Sequence, residues 1–321
     1  MICVRSLRMN TRFAVYAVSL LCGSSIADES ASFPPESNGW KLVSAVPHRP
    51  LKESSGLAPS TVRPSIVWSH NDGGAGSFLF AIDAASGNLE QTITLAGTLN
   101  LDWEDLFVVS DRKQPLLAVA DVGDNEKRRK NCLIHLFEES AGKDGKLSLK
   151  KNRTIRFHYP EGKRFDCEAA AFDGRTGNAV VLTKAKSKTL LFEVPLEAVD
   201  GEGLVVAKLA GTLTPPAEFP DKTAMVNFKR GIFGTSCTSA DISPDGKTLA
   251  VLTYTDCFLY RRSAEETWAT AVAREPQALA LPAIYQAEAL CFTPDGMSLI
   301  VSSEKAPTPL YRIVVPGPGA D

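Results

Sequence analysis

Apolar residues come along this chain in short runs, and few of the runs carry a helical period. Segments 65–69, 78–82, 116–120, 180–183, 249–253 and 299–302 are alternating or wholly apolar, and stretches containing Gly, Pro, Asp or Asn separate them. Strand-length runs set between turn formers predict an all-β fold. The chain also repeats itself. Gln286-Ala-Glu-Ala-Leu-Cys-Phe-Thr-Pro-Asp-Gly aligns without a gap on Ser236-Cys-Thr-Ser-Ala-Asp-Ile-Ser-Pro-Asp-Gly. Each reads as a strand and a Pro-Asp-Gly turn leading into a second strand. Proline suits the first corner of such a turn and glycine accepts positive φ. Asp166-Cys-Glu-Ala, Asp102-Trp-Glu-Asp and Glu53-Ser-Ser-Gly open related segments.

Five units therefore begin near residues 53, 102, 166, 236 and 286. A third strand is expected in each, at 78–83, 133–138, 190–194, 258–261 and 310–314. Units one to four have room for a fourth, as at 90–96 or 204–209. Unit five runs out of chain, and 40–46 is the spare strand that can complete it. Four-stranded units at this period predict a β-propeller, here five-bladed and closed by the N-terminal strand. Closure of that kind removes sheet edges. A Greek-key sandwich is the competing reading, and gap-free repetition of a turn motif argues against it. Segment 211–235 fits no blade and reads as an inserted loop, with room for part of a sixth blade. Its Pro215, Pro216 and Pro220 could cap one mouth of the ring.

Composition changes this picture little: 321 residues, 44% apolar and 22% charged, is ordinary globular usage. A net charge of −2 gives no electrostatic basis for nucleic-acid binding. The N-terminus adds a compartment. Arg5, Arg8 and Arg12 precede an apolar run at 13–22, and Ser25-Ile26-Ala27 is an acceptable cleavage site. Residues 1–27 thus read as a signal peptide, and 28–321 as one secreted or periplasmic domain. The run is too short to span a bilayer, and no second run approaches spanning length. Of the seven Cys, Cys132, Cys167, Cys237, Cys257 and Cys291 lie beyond the leader. An odd number leaves at least one thiol out of any intramolecular disulfide set. Register would pair Cys167 with Cys237, if neighbouring inner strands come close enough for a bridge.

The repeats align acids at one position. Glu104, Glu168 and Glu288 stand early in the first strand of their units, with Ser55 and Thr238 in the other two. First strands of propeller blades line the axis, so these carboxylates should converge at one mouth. Asp102 and Asp166 each precede their Glu by two residues. Oxygen-only ligands suit Ca²⁺ or Mg²⁺, and nothing in the sequence calls for an organic cofactor. The alternative is that the acids bond backbone N–H groups of the next blade. Asp121-Val-Gly-Asp124-Asn125 and Ser69-His70-Asn71-Asp72-Gly73 occupy equivalent loops after second strands. They add Asp121 as a metal candidate, and His70, Asn71, Asp72, Asp124 and Asn125 as ligand-binding candidates. Arg128, in the run 127–130, could hold an anionic group or simply be solvated. Of the four histidines, His48 and His70 could approach the axis, whereas His135 sits on an outer strand. The usual serine-hydrolase, zinc-protease and nucleotide-binding motifs are absent from the sequence.

Ser55-Gly-Leu-Ala, Trp68-Ser-His-Asn-Asp-Gly73, Leu79-Phe-Ala-Ile-Asp83, Asp102-Trp-Glu-Asp-Leu106, Asp121-Val-Gly-Asp-Asn125, Ala240-Asp-Ile-Ser-Pro-Asp-Gly246 and Glu288-Ala-Leu-Cys-Phe292 resemble a family of exported bacterial β-propellers. It is grouped loosely with phytase-like and esterase-like propellers, and the resemblance spans roughly 40–315. It implies fold and export. The phytase-like label would imply Ca²⁺ and a phosphate ester, but no phytase motif matches residue by residue.

The function expected first is an exported propeller that binds a divalent cation and a small or extended ligand at an acidic axial mouth. A metal-dependent hydrolase of phosphoesterase or lactonase type is the second reading, with Glu104, Glu168, Glu288 or His70 as catalytic candidates. The third is a protein-interaction scaffold whose acids are structural.

Overall fold

A computed structural model describes residues 33–47, 49–110, 113–185, 188–197, 203–214 and 236–317. The expected leader, His48 and residues 215–235 of the expected loop lie outside the described residues.

The strands form five sheets. Strand β1 (Lys41–Val46) comes first in the chain but belongs to the last sheet. Blade one is β2 (Ser54–Pro59), β3 (Ile66–Asn71), β4 (Phe78–Asp83) and β5 (Leu89–Thr94). Blade two is β6 (Trp103–Val109), β7 (Leu116–Asp121), β8 (Cys132–Ala141) and β9 (Leu147–His158). Blade three is β10 (Cys167–Asp173), β11 (Asn178–Thr183) and β12 (Leu190–Pro195). The chain then leaves that blade: β13 (Leu204–Val206) runs parallel to β9 as a fifth strand of blade two. It returns as β14 (Lys208–Thr212), the fourth strand of blade three. The expected single strand at 204–209 is thus split between two blades. Residues 211–212 are strand, not the start of a loop. Blade four is β15 (Cys237–Ile242), β16 (Thr248–Thr253), β17 (Asp256–Arg261) and β18 (Gln277–Ala280). Blade five is β19 (Ala287–Phe292), β20 (Ser298–Ser303) and β21 (Thr308–Val314), completed by β1 against β21.

Packing shows why the sheets make a ring. The apolar core divides into five clusters, one at each seam between neighbouring blades. Leu106, Leu117 and Trp103 of blade two pack on Ala58, Ile66 and Trp68 of blade one. Leu57, Val67 and Phe80 of blade one close the ring against Ala289, Ile300 and Leu310 of blade five, with Val46 of β1 on the blade-five side. Inner strands such as β7 and β20 are buried throughout, because both their faces meet another blade. The outer strand β5 alternates between half-buried and exposed. The architecture is therefore a five-bladed β-propeller closed by its N-terminal strand.

The repeated Pro-Asp-Gly turns behave as their chemistry requires. Gly246 and Gly296 both sit at φ +69°, and each donates its N–H back to the residue before the proline, at 2.7 and 2.8 Å. The five cysteines beyond the leader are unpaired and buried. No disulfide joins Cys167 to Cys237. The Cys167 thiol lies 2.9 Å from the Tyr159 hydroxyl instead.

Candidate functional site

Every innermost strand carries a bulge at the same place. The ladder skips Gly56, Glu104, Glu168, Thr238 and Glu288 in β2, β6, β10, β15 and β19. A bulge inserts an unpaired residue and re-aims its side chain, so one position per blade is turned out of the ladder. In blade one that position is Gly56, not Ser55 as aligned from sequence. Gly56 sits at φ +80°, and a Cβ there would lie 2.9 Å from His70 Nε2 and 2.8 Å from Leu106 N. The imidazole of His70 thus stands where the fifth bulge side chain would be.

The ring acids do not staple the blades. Among the described residues, Glu104, Glu168 and Glu288 take no backbone N–H of a neighbouring blade. That role falls to the next residue along. Asp105 accepts N–H bonds from Leu106 (2.9 Å), Ala170 (2.9 Å) and Ala240 (3.0 Å). Ser239 Oγ donates to Asp105 at 3.1 Å and accepts from Leu290 N at 3.1 Å. Three blades thus meet at one buried carboxylate, and Ser239 links it to a fourth. Burial pushes that carboxyl up, and the three N–H donors pull it back. Thr238 and Ser55 add hydroxyl bonds to the backbone of the next blade, at 2.8 and 3.0 Å.

A second layer of the mouth comes from the residues that follow the second strands: Asp72, Lys184, Tyr254 and Glu304. In blade two the chain continues as Val122-Gly123. Three groupings result. In the first, single carboxylate oxygens of Asp72, Asp102 and Glu104 all lie within 4.8 Å of one another. Gly73 and Gly123 press on this group from behind. A Cβ on Gly123 would collide with Glu104 Oε1 and lie 2.6 Å from Asp102 Oδ2, and one on Gly73 would collide with Asp102 Oδ1. Burial and the neighbouring acids push Asp102 up to about 6 and hold Glu104 well above the usual carboxylate range. In the second, Lys184 Nζ is ion-paired with Glu168 and lies 5.7 Å from the Tyr254 ring centroid. Burial pushes Glu168 up to about 7 even with that ammonium against it, and Glu168 keeps Lys184 charged. In the third, the Gln286 amide bridges Glu288 (3.2 Å) and Glu304. Burial, and then the nearby Glu304, raise Glu288 well above its ordinary value.

The remaining candidates lie elsewhere. Asp121 is buried under the mouth, bound to Arg129 at 2.6 Å and accepting from Asp102 N at 3.2 Å. Asp124 caps its own loop by accepting from Arg128 N and Arg129 N at 2.7 and 2.9 Å. Asn71 ties down 50–53 through its side chain. Asn125 is exposed, and Arg128 is a solvated partner of Glu126. His70 is fully buried, edge-on to Trp103 at 5.8 Å. Its Nδ1 faces the Asn71 carbonyl at 2.8 Å, so Nδ1 carries the proton and Nε2 has no partner. Burial pushes its pKa down to about 4. Sequence reasoning missed Lys184, Tyr254 and Glu304. Their signal was position alone, the first residue after each apolar second strand.

Fold and site together define a five-bladed propeller with an acidic axial mouth. Neither a protein-family model nor a curated protein matches the chain. Among solved structures it is similar to a luciferin-regenerating enzyme, at 9% identity and a TM-score of 0.42, over 84% of this chain and 92% of that one.

Proposed function

We propose that this protein is an exported propeller that binds a divalent cation at its axial mouth through Asp72, Asp102 and Glu104, beside which a small or extended ligand docks. The observation that carries this reading is the carboxylate group itself. Three oxygens gather within 4.8 Å, backed by glycines that leave no room for a side chain. Among the described residues no ion pair reaches these three acids. Such a set repels itself, and a bound cation offsets the repulsion. Oxygen donors alone suit Ca²⁺ or Mg²⁺. Bound there, the cation would supply charge neutralisation and Lewis acidity. Export rests on the sequence of residues 1–27. No helix among the described residues is long and apolar enough to cross a membrane.

A specific observation favours the hydrolase as second reading. Glu168, Lys184 and Tyr254 place proton-transfer groups in the same mouth. Under that reading Glu168→Gln loses ester or lactone turnover and keeps the cation response.

Thermal unfolding tests the first reading, with EDTA and then with Ca²⁺, Mg²⁺ or Mn²⁺. A ligand at a hundred times its Kd stabilises by about 2.7 kcal/mol, an easily read midpoint shift. The expected result is a rise in midpoint with at least one cation, absent in Glu104→Gln. No rise with any cation overturns the proposal.

A further inference from the structure

The axis has a second end, and the cation reading makes no use of it. The bulges lie at the starts of the inner strands. At their other ends, Pro59, Val108, Phe172, Ile242 and Phe292 line a cavity of about 480 Å³. That is within the range of small-molecule sites, roughly 300–1,000 Å³. The Asp105 junction stands between this cavity and the acidic mouth, and it is completely buried. The walls are mainly apolar, with Pro244 and Pro294 joining the two phenylalanines.

Two carboxylates line this cavity, and of these Asp245 is exposed while Asp241 is drawn into the ends of the inner strands. Asp241 Oδ1 accepts from Ile242 N, and Oδ2 from Phe292 N, both at 2.8 Å. Each oxygen has a further lone pair. Among the described residues it has no ion-pair partner, and burial raises it to about 7 against the pull of the two N–H bonds. The other charged liners, Arg175 and Asp245, are exposed. Arg175 NH1 donates to the Ser263 carbonyl at 3.1 Å, and Asp245 accepts from its own turn through Ser243 Oγ and Lys247 N. An anionic ligand would meet the carboxylate unfavourably, and a neutral one would leave it without a counter-ion. An ammonium group supplies that charge while an apolar body covers the proline and phenylalanine walls.

We propose that this cavity binds a small organic ammonium with an apolar body, its N–H groups on Asp241 and its body against Phe172, Phe292 and Pro59. The test compares three probes of one shape by titration calorimetry: 2-phenylethylammonium, 2-phenylethanol and 3-phenylpropionate. The expected order is ammonium tighter than alcohol by about tenfold, the size of a charge-assisted hydrogen bond, with no binding of the carboxylate. In Asp241→Asn the preference for ammonium over alcohol falls to within twofold. Equal binding of ammonium and alcohol by the native protein overturns the proposal, whether or not Asp241→Asn folds. A phenylethylammonium bearing a photoreactive diazirine reports position. Crosslinks at 241–245 or 292–294 support the cavity. Crosslinks confined to Asp72, Asp102 or Glu104 overturn it and assign the amine to the acidic mouth.

Discussion

His70 shows how one side chain sets a pH dependence. Its folded-state pKa is lowered to about 4 from 6.5 by burial. The folded protein therefore holds the ring neutral where the unfolded chain would protonate it. Stability from this group is complete above pH 6.5 and is lost as pH falls through 4. The shift corresponds to about 3 kcal/mol. The neighbouring acids, raised in the folded state, act with the opposite sign. His70→Gln isolates the histidine: urea unfolding at pH 4 and pH 7 should show a smaller acid loss in the variant. An equal loss in both proteins would assign the acid sensitivity elsewhere. Gly123 makes a second test at this scale. Gly123→Ala drives a methyl group into the Glu104 and Asp102 carboxylates. It should abolish the cation-dependent midpoint shift, because the acids can no longer converge.

Elements are held to one another by a few buried polar contacts. Asp173 ends β10 in blade three, and Arg262 follows β17 in blade four. The guanidinium binds the carboxylate through two nitrogens at 3.0 and 2.5 Å, and its carbon sits 4.0 Å from the centroid of the Trp268 ring. Removing one partner of such a buried pair costs about 3–5 kcal/mol. Arg262→Ala should lower the chemical denaturation midpoint accordingly, while Arg128→Ala on the solvated loop should leave it unchanged. Asp105→Asn should be as severe as Arg262→Ala, because an amide NH₂ would face N–H donors from three blades. How legible each element was follows from the forces that place it. The gap-free match of the last two units placed Glu288, and the shared Asp-x-Glu at 102–104 and 166–168 brought in Glu104 and Glu168. Gly56 was missed because it carries no side chain to match the acids and the threonine at the equivalent positions. The parallel pairing of β13 was invisible, since Leu204 and Val206 are exposed and leave no period to read. Lys184, Tyr254 and Glu304 share a place but no chemistry, so no motif marks them.

At the scale of the molecule, the fold was readable and the site only partly so. Blade number followed from repeated local chemistry, whereas the pairing of Lys184 with Glu168 depends on two strands meeting at the axis. Charge also sums at this scale. Asp72, Asp102, Glu104, Glu168, Glu288 and Glu304 crowd one mouth, with Lys184 the cation ion-paired among them. A bare polyanion such as a phosphate ester would be repelled there, so any such ligand must arrive with cations. Ring integrity gives a further expectation. Removing 33–46 strips β1 from β21 and exposes a long apolar edge, which should drive self-association. Size-exclusion chromatography of the truncated chain would show it, and a monomer of unchanged midpoint would argue that the blade closes without β1.

The pairing of β1 with β21 also imposes a timetable. Leu42 meets Tyr311, so this sheet cannot be finished until nearly the whole chain is present. Joining partners that distant in sequence carries a closure entropy on the order of 5 kcal/mol, offset only when the first and last blades already stand side by side. The other four blades can assemble from neighbours as they are made, blade two gaining its short fifth strand β13 once blade three has followed. The fifth blade must wait for its missing strand to be found. Until then the half-built ring is an open arc, and its maturation is a single late event.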